Sequence, residues 1–311
     1  MSDKTKERVL EAAQELSFQP NRLARALVTA RSQTVGVIVH DISDPYFGEI
    51  VKGLEDGIHA EDYRLFIASS ERDPDKELDY VRAFLAHQVD AMVFAASSLT
   101  DAGYADSLKA LAERFTAGGG VVIVLSDHVL DGKKVYFDNR EAVREMVRYL
   151  YERGHRRIGY LTGPPDLEVS RVRLSGYTSA AEDLDLDHGP EYIADGHFTA
   201  RGGGEAMGEL LERVEPTAVL AANDLMAIGA MRHLLASGIR VPQDISVAGL
   251  DDIPIAEYGP VPLTTMRVPT YQIGLKGASL LLKALAKAEV DDIRIAGEIV
   301  ERDSVASKAE K

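Results

Sequence analysis

The chain has 311 residues and a formal charge of −15; apolar residues make up 45% and cysteine is absent. At roughly 150 residues per domain, this length suggests about two domains with full cores. Disulfides and thiolate-bound metals are excluded, and a reducing compartment is the easier home.

Residues 4–16 repeat apolar side chains at helical spacing, namely Val9, Leu10, Ala13 and Leu16, and that helix should end before Pro20. Acids interrupt the apolar runs here, which excludes a secretory signal. No run approaches the ~20 apolar residues of a membrane span, so the expectation is a cytoplasmic protein with no membrane partner. The stretch from Ser17 to Ser32 then carries Arg22, Arg25 and Arg31 and no acid. A basic arm on an acidic body attracts nucleic acid while the body repels it; a plain solvated linker would carry the same charge.

Strands are expected at 34–39, 64–68, 91–95 and 121–125, separated by helices at 47–59, 75–87 and 105–117. A second series has strands at 157–161, 191–194, 218–221 and 246–249, with helices at 140–153, 171–184, 202–214 and 224–237. Alternation of this kind with short connections builds parallel sheets, and two series mean two α/β halves. A helix pattern at 271–287 and tail strands at 293–302 follow, and the pattern alone fits them to either half. Asp44-Pro45 and Asn223-Asp224 are helix starts at the carboxyl ends of strands, where open parallel sheets bind ligands.

Signatures of catalysis are poor. There is no G-x-S-x-G, H-E-x-x-H, Walker loop or G-x-G-x-x-G, so neither an enzyme nor a cofactor is expected. Gly118–Gly120 reads as a turn into a strand, and Gly202–Gly204 as the start of a helix. His128 and His155 stand apart from other ligand-type residues and read as structural, so no metal site is expected. What remains is a set of polar residues at strand ends: Asp138, Arg173, Asn223, Asp251 and Asp252. Converging on one cleft, they would offer carboxylates, a guanidinium and an amide to the hydroxyls of a sugar. Taken singly, each also fits a cap or a turn.

The segments "KTKERVLEAAQELSFQPNRLARAL", "TVGVIVHDISDPYFGEIVKGLED", "RGHRRIGYLTGPP", "RVRLSGY", "AANDLMAIGAM", "GIRVPQDISVAGLDDIPIAEY" and "VPLTTMRVP" together resemble the LacI/GalR family of bacterial transcription regulators. The resemblance runs from about Lys4 to Ser304. It implies two Rossmann-like subdomains of the type I periplasmic-binding-protein kind, linked by three crossovers. Residues 1–19 would be a headpiece remnant and 20–32 the hinge helix. The core, 33–311, would divide into an N-subdomain (33–138 and 267–295) and a C-subdomain (139–266 and 296–311).

The same resemblance implies a small effector between the halves, a sugar or related metabolite, with a nucleobase as the chemical rival. Matching positions are Tyr46 and Phe47 in the first half, Arg173, Phe198, Asn223 and Asp251 in the second, and Asp138 at the hinge. "PNRLARAL" is similar to the hinge helix that enters the minor groove of operator DNA. There Leu27 would wedge between base steps, with Asn21, Arg22 and Arg25 along the backbone. A homodimer is implied as well. The chain departs from the family in starting at the third headpiece helix, so the expectation is that it lacks a working helix-turn-helix. Ser17, Asp44 and Leu250 also depart from the usual residues. A solute-binding protein shares this fold, but the basic hinge-like arm argues against it; an enzyme lacks a nucleophile–base pair.

Overall fold

The structure, a computed structural model, describes residues 31–308 together with Thr5, Glu7, Arg8, Glu11, Ala12 and Glu15, which are helical and exposed. The apolar positions Val9, Leu10, Ala13 and Leu16, and the hinge positions Asn21, Arg22, Arg25 and Leu27, lie outside the described residues.

The first half runs β1 (Thr34–Val39), α1 (Pro45–Ile58), β2 (Arg64–Ser69), α2 (Pro74–Ala86), β3 (Ala91–Phe94), α3 (Ala102–Ala117), β4 (Val121–Val124) and β5 (Lys133–Phe137). The second runs α4 (Asn139–Glu152), β6 (Ile158–Thr162), α5 (Glu168–Asp183), β7 (Ile193–Asp195), α6 (Ala200–Arg213), β8 (Ala218–Ala221), α7 (Asp224–Ala236), β9 (Ser246–Asp251), α8 (Ile255–Tyr258) and β10 (Thr264–Arg267). Then come α9 (Thr270–Leu285), β11 (Ile293–Ile295) and β12 (Glu298–Val300). One sheet has the order β11-β5-β4-β3-β1-β2, the other β12-β10-β9-β8-β6-β7. Pairing is parallel throughout, except that β12 lies antiparallel to β10. The chain crosses from one sheet to the other after Phe137, after Arg267 and after Ile295.

Burial explains the apolar runs. β3, β6, β8 and β9 are buried at every position, because helices cover both faces of each sheet. The helices start where the sequence supplies caps. Asp44 accepts from Tyr46 N at 3.0 Å, Asp73 from Asp75 N at 2.9 Å, and Asn223 from Met226 N at 2.9 Å. α1 and α9 touch backbone to backbone. A Cβ on Gly53 would stand 2.1 Å from the Tyr271 carbonyl oxygen, and one on Gly274 2.0 Å from that of Ile50.

One expectation shifts. The strand expected at 191–194 is shorter, because Pro190 opens a single 3-10 turn, Pro190–Tyr192, before β7. The tail pattern at 293–302 divides between the two sheets. Gly297 makes that crossing beside Arg267, where a Cβ would lie 2.5 Å from the carbonyl oxygen. No described helix is long and apolar enough to cross a membrane.

Candidate functional site: a cleft between two sheets

The carboxyl ends of the strands in both sheets face one another across a cleft with about 620 Å³ of free space, its mouth included. From the first half come His40, Asp44, Tyr46, Phe47, Arg72, Ser97, Leu125 and Phe137; from the second, Asn139, Val169, Arg173, Phe198, Asn223 and Asp251. The sheet ends thus do what open parallel sheets do elsewhere: they present loop and cap residues to one point.

Arg173 is the polar centre, with 4% of its surface exposed. It spends its fork on three acceptors. Nε donates to Asn139 Oδ1 at 2.8 Å, one terminal nitrogen to the Ala222 carbonyl, and the other to Asp251 Oδ1 at 3.2 Å. Asn139 Nδ2 in turn donates to Asp127 Oδ2 at 2.8 Å, which ties the network to the first half. Burial and the nearby Asp44 push the Asp251 carboxyl upward, while Arg173 holds it down; the net direction is up. Burial is the largest single influence on Arg173 and opposes its charge, but Asp251 together with Tyr46 and Tyr160 makes the net direction upward, so the guanidinium stays protonated. A buried pair of this kind is costly unless the geometry is good and further hydrogen bonds use its lone pairs and protons, which the Asn139 and Ala222 contacts do in part.

Aromatic rings form the apolar walls. Tyr46 and Phe47 meet edge to face at 5.2 Å between centroids. Phe198 stands opposite, with the Arg72 guanidinium 5.7 Å from its ring centre. Arg72 also donates to the His197 carbonyl at 3.2 Å, closing one side of the cleft. Further hydrogen bonds join the halves. Thr100 N donates to Asp166 O at 2.8 Å, Glu168 N to Ser98 O at 3.0 Å, and Val169 N to Ser97 Oγ at 2.9 Å. Left-handed backbone gathers on this rim, at Arg72 (φ 62), His197 (54), Phe198 (55), Asp251 (117) and Asp252 (58). Non-glycine residues hold such angles at a cost of order 1–3 kcal/mol, and such strain clusters at ligand clamps.

Six of the seven effector-contact positions named from the sequence line the cleft: Tyr46, Phe47, Arg173, Phe198, Asn223 and Asp251. Asp138 is not among them. Its carboxylate caps α4 by accepting from Glu141 N at 3.1 Å, and it pairs with Arg294 at 2.9 Å, so the next residue, Asn139, lines the cleft instead. Asp252 also turns away, pairing with Arg267 and Arg302 at 2.7 Å each. Leu250 is buried within β9 and is not part of the cleft wall. The sequence reading missed His40, Arg72 and Asn139, and saw Asp44 only as a cap. Among the described residues, no group of three His, Cys, Asp or Glu side chains could hold a metal.

Two α/β halves closing on a polar cleft define a periplasmic-binding-protein-like ligand module. Residues 147–305 match the family model described as a periplasmic binding protein-like domain. The chain is 34% identical over 283 residues to the HTH-type transcriptional repressor CytR of Escherichia coli (strain K12), covering 91% of this chain and 81% of that protein. The crystal structure of the lac repressor dimer bound to operator and the anti-inducer ONPF superposes with a TM-score of 0.87 at 26% identity, over 98% of this chain and 91% of that one. A LacI family transcriptional regulator from Enterococcus faecium with bound ribose superposes at 0.78, with 26% identity, over 89% of this chain and all of that one. The chain belongs to the LacI/GalR family of transcription regulators.

Proposed function

We propose that this chain is the effector-responsive part of a transcriptional regulator, binding a small sugar-like molecule between its halves and coupling their closure to operator DNA. The observation that carries the reading is the buried Arg173–Asp251 pair, which shares the cleft with the rings of Tyr46, Phe47 and Phe198. A diol accepts from a guanidinium while donating to a carboxylate, and a ring face rests on an aromatic wall. A ribose-bound family structure supports the chemical class.

In this reading residues 33–138 and 267–295 move as one subdomain, and 139–266 and 296–311 as the other. Rotation between them alters the relation of the two hinge segments, 20–32, in a homodimer joined through the core. Leu27 of each hinge then wedges into the minor groove, with Asn21, Arg22 and Arg25 along the backbone. A thermal-shift panel of pentoses, hexoses, disaccharides and nucleobases tests the effector class. A ligand at 100 times its Kd adds about 2.7 kcal/mol of stability, which is readily seen. The expected result is a rise in Tm with a sugar that is lost in Arg173→Ala. A response to nucleobases alone overturns the sugar assignment.

A further inference from the structure

Asp224 is the first residue of α7, yet its side chain does not serve the helix start. That duty falls to Asn223, whose Oδ1 accepts from Met226 N. The Asp224 carboxyl is fully buried, does not line the cleft, and turns toward the sheet. Oδ1 accepts from Thr265 Oγ1 of β10 at 2.6 Å, and Oδ2 accepts from Ile253 N, in the turn after β9, at 2.9 Å. β9 makes room for it at Gly249, where a Cβ would stand 2.3 Å from Asp224 Oδ1. One carboxyl thus ties together three segments far apart in the chain, "AAND", "GLDDI" and "LTT".

The turn that Asp224 holds carries Asp251. Asp251 and Asp252 are consecutive non-glycine residues in left-handed backbone, at φ 117 and 58. Such backbone persists only where the surroundings over-determine it. Here Val268 N donates to the Asp251 carbonyl at 3.2 Å, the Asp252 carboxylate pairs with Arg267 and Arg302, and Ile253 N donates to Asp224. The strained turn brings the Asp251 carboxylate to Arg173. Keeping a carboxyl beneath it is unfavourable in itself. Asp224 has lost its hydration, both its partners are neutral donors, and burial and the Asp251 charge push it up. Both contacts survive in either protonation state, since a protonated Oδ1 donates to Thr265 Oγ1 while Oδ2 still accepts from Ile253 N.

We propose that Asp224 is a positioning residue for effector binding, which touches no ligand and acts by holding the turn that aims Asp251 at Arg173. This deepens the effector reading above and rests on it. Without Asp224, the Ile253 amide has no acceptor, the left-handed turn relaxes, and the Asp251 carboxylate leaves the Arg173 fork. The effect of Asp224 is therefore felt only through Asp251.

The test is a double-mutant cycle on the full, ligand-free chain, read by NMR as the solvent exchange of the Arg173 guanidinium protons. Backbone amides of β8 control for global opening. Exchange is expected to quicken at least about tenfold in Asp224→Ala and in Asp251→Ala, and to quicken no further in the double variant. Asp224→Asn accepts from Ile253 N and donates to Thr265 Oγ1, and is expected to exchange as slowly as the wild type. A merely structural Asp224 would quicken exchange equally in both backgrounds. That result, or slow exchange in Asp224→Ala, overturns the proposal. Should Asp224→Ala not fold, Thr265→Val carries the same cycle with the same outcomes, because it removes one of the two donors that fix the carboxyl. Calorimetry with ribose, glucose, cellobiose and uridine adds the affinity. The probe that binds the wild type is expected to bind Asp224→Ala at least about tenfold more weakly and Asp224→Asn within about threefold of the wild type. Unchanged affinity in Asp224→Ala overturns the proposal. Silence of all four probes counts against the effector reading beneath, and the hold of Asp224 on the turn then stands or falls on the exchange cycle.

Discussion

Asn223 carries two duties, and they can be separated. Its Oδ1 caps α7 by accepting from Met226 N, while its amide nitrogen faces the cleft near the Phe198 carbonyl, 3.5 Å away. Asn223→Ala should cost about 1 kcal/mol of stability as well as affinity, whereas Asn223→Ser keeps a capping oxygen and should lose affinity alone. Urea unfolding beside ligand titration separates the two, and equal stability loss in both variants contradicts the assignment. His155 makes a pH prediction. It is fully buried, holds Thr217 Oγ1 at 3.1 Å and the Ala306 carbonyl at 3.0 Å, and burial pushes it from 6.5 down to about 4. Its folded pKa lies below its unfolded one, so its share of stability is intact above 6.5 and is lost as pH falls toward 4. Between about pH 7 and about pH 5, the wild type should lose about 1–2 kcal/mol that His155→Gln does not lose. Identical pH dependence in the two proteins contradicts this.

Residues of this kind also show how much of the site could be read in advance. Arg173, Asn223 and Asp251 were legible only as a set and through the family resemblance, because each taken singly also fits a cap, a turn or a helix surface. His40 was not, because a lone histidine after "VGVIV" is indistinguishable from a packed one until the fold places it in the cleft lining. Asp138 and Asn139 are adjacent and both polar; only the geometry of the α4 start shows that the first is spent on the cap and the second faces the cleft.

At the scale of elements, strand–helix alternation was legible throughout, since apolar runs of four to six residues between amphipathic stretches fit little else. The short tail strands were not. A three-residue strand carries no period, and whether β11 and β12 join one sheet or two depends on the crossing at Gly297. The contact of α1 with α9 was hidden for a similar reason: glycine in a helix reads as a weakness, and only the packing shows Gly53 and Gly274 allowing two backbones to touch. Gly274→Ala should force these helices apart and cost about 1–3 kcal/mol, a fall of several degrees in Tm by differential scanning calorimetry. An unchanged Tm would show that the helices give way freely.

At the scale of the molecule, the hydrogen bonds of 97–100 with 166–169 and of Arg72 with the His197 carbonyl join the halves beside the cleft. A ligand bridging the halves stabilises this arrangement over an open one only by its differential affinity for the two. The homodimer proposed here is expected at micromolar concentration by light scattering, and a monomer would contradict it. The central claim, that a small ligand is held between the halves by Arg173, is tested most directly by calorimetry with the stabilising sugar on the wild type, Arg173→Lys and Arg173→Ala. Lysine keeps the charge but not the planar fork that spans Asn139, Ala222 and Asp251, so both variants should bind at least about tenfold more weakly while remaining folded. Unchanged affinity in folded Arg173→Ala would contradict the account.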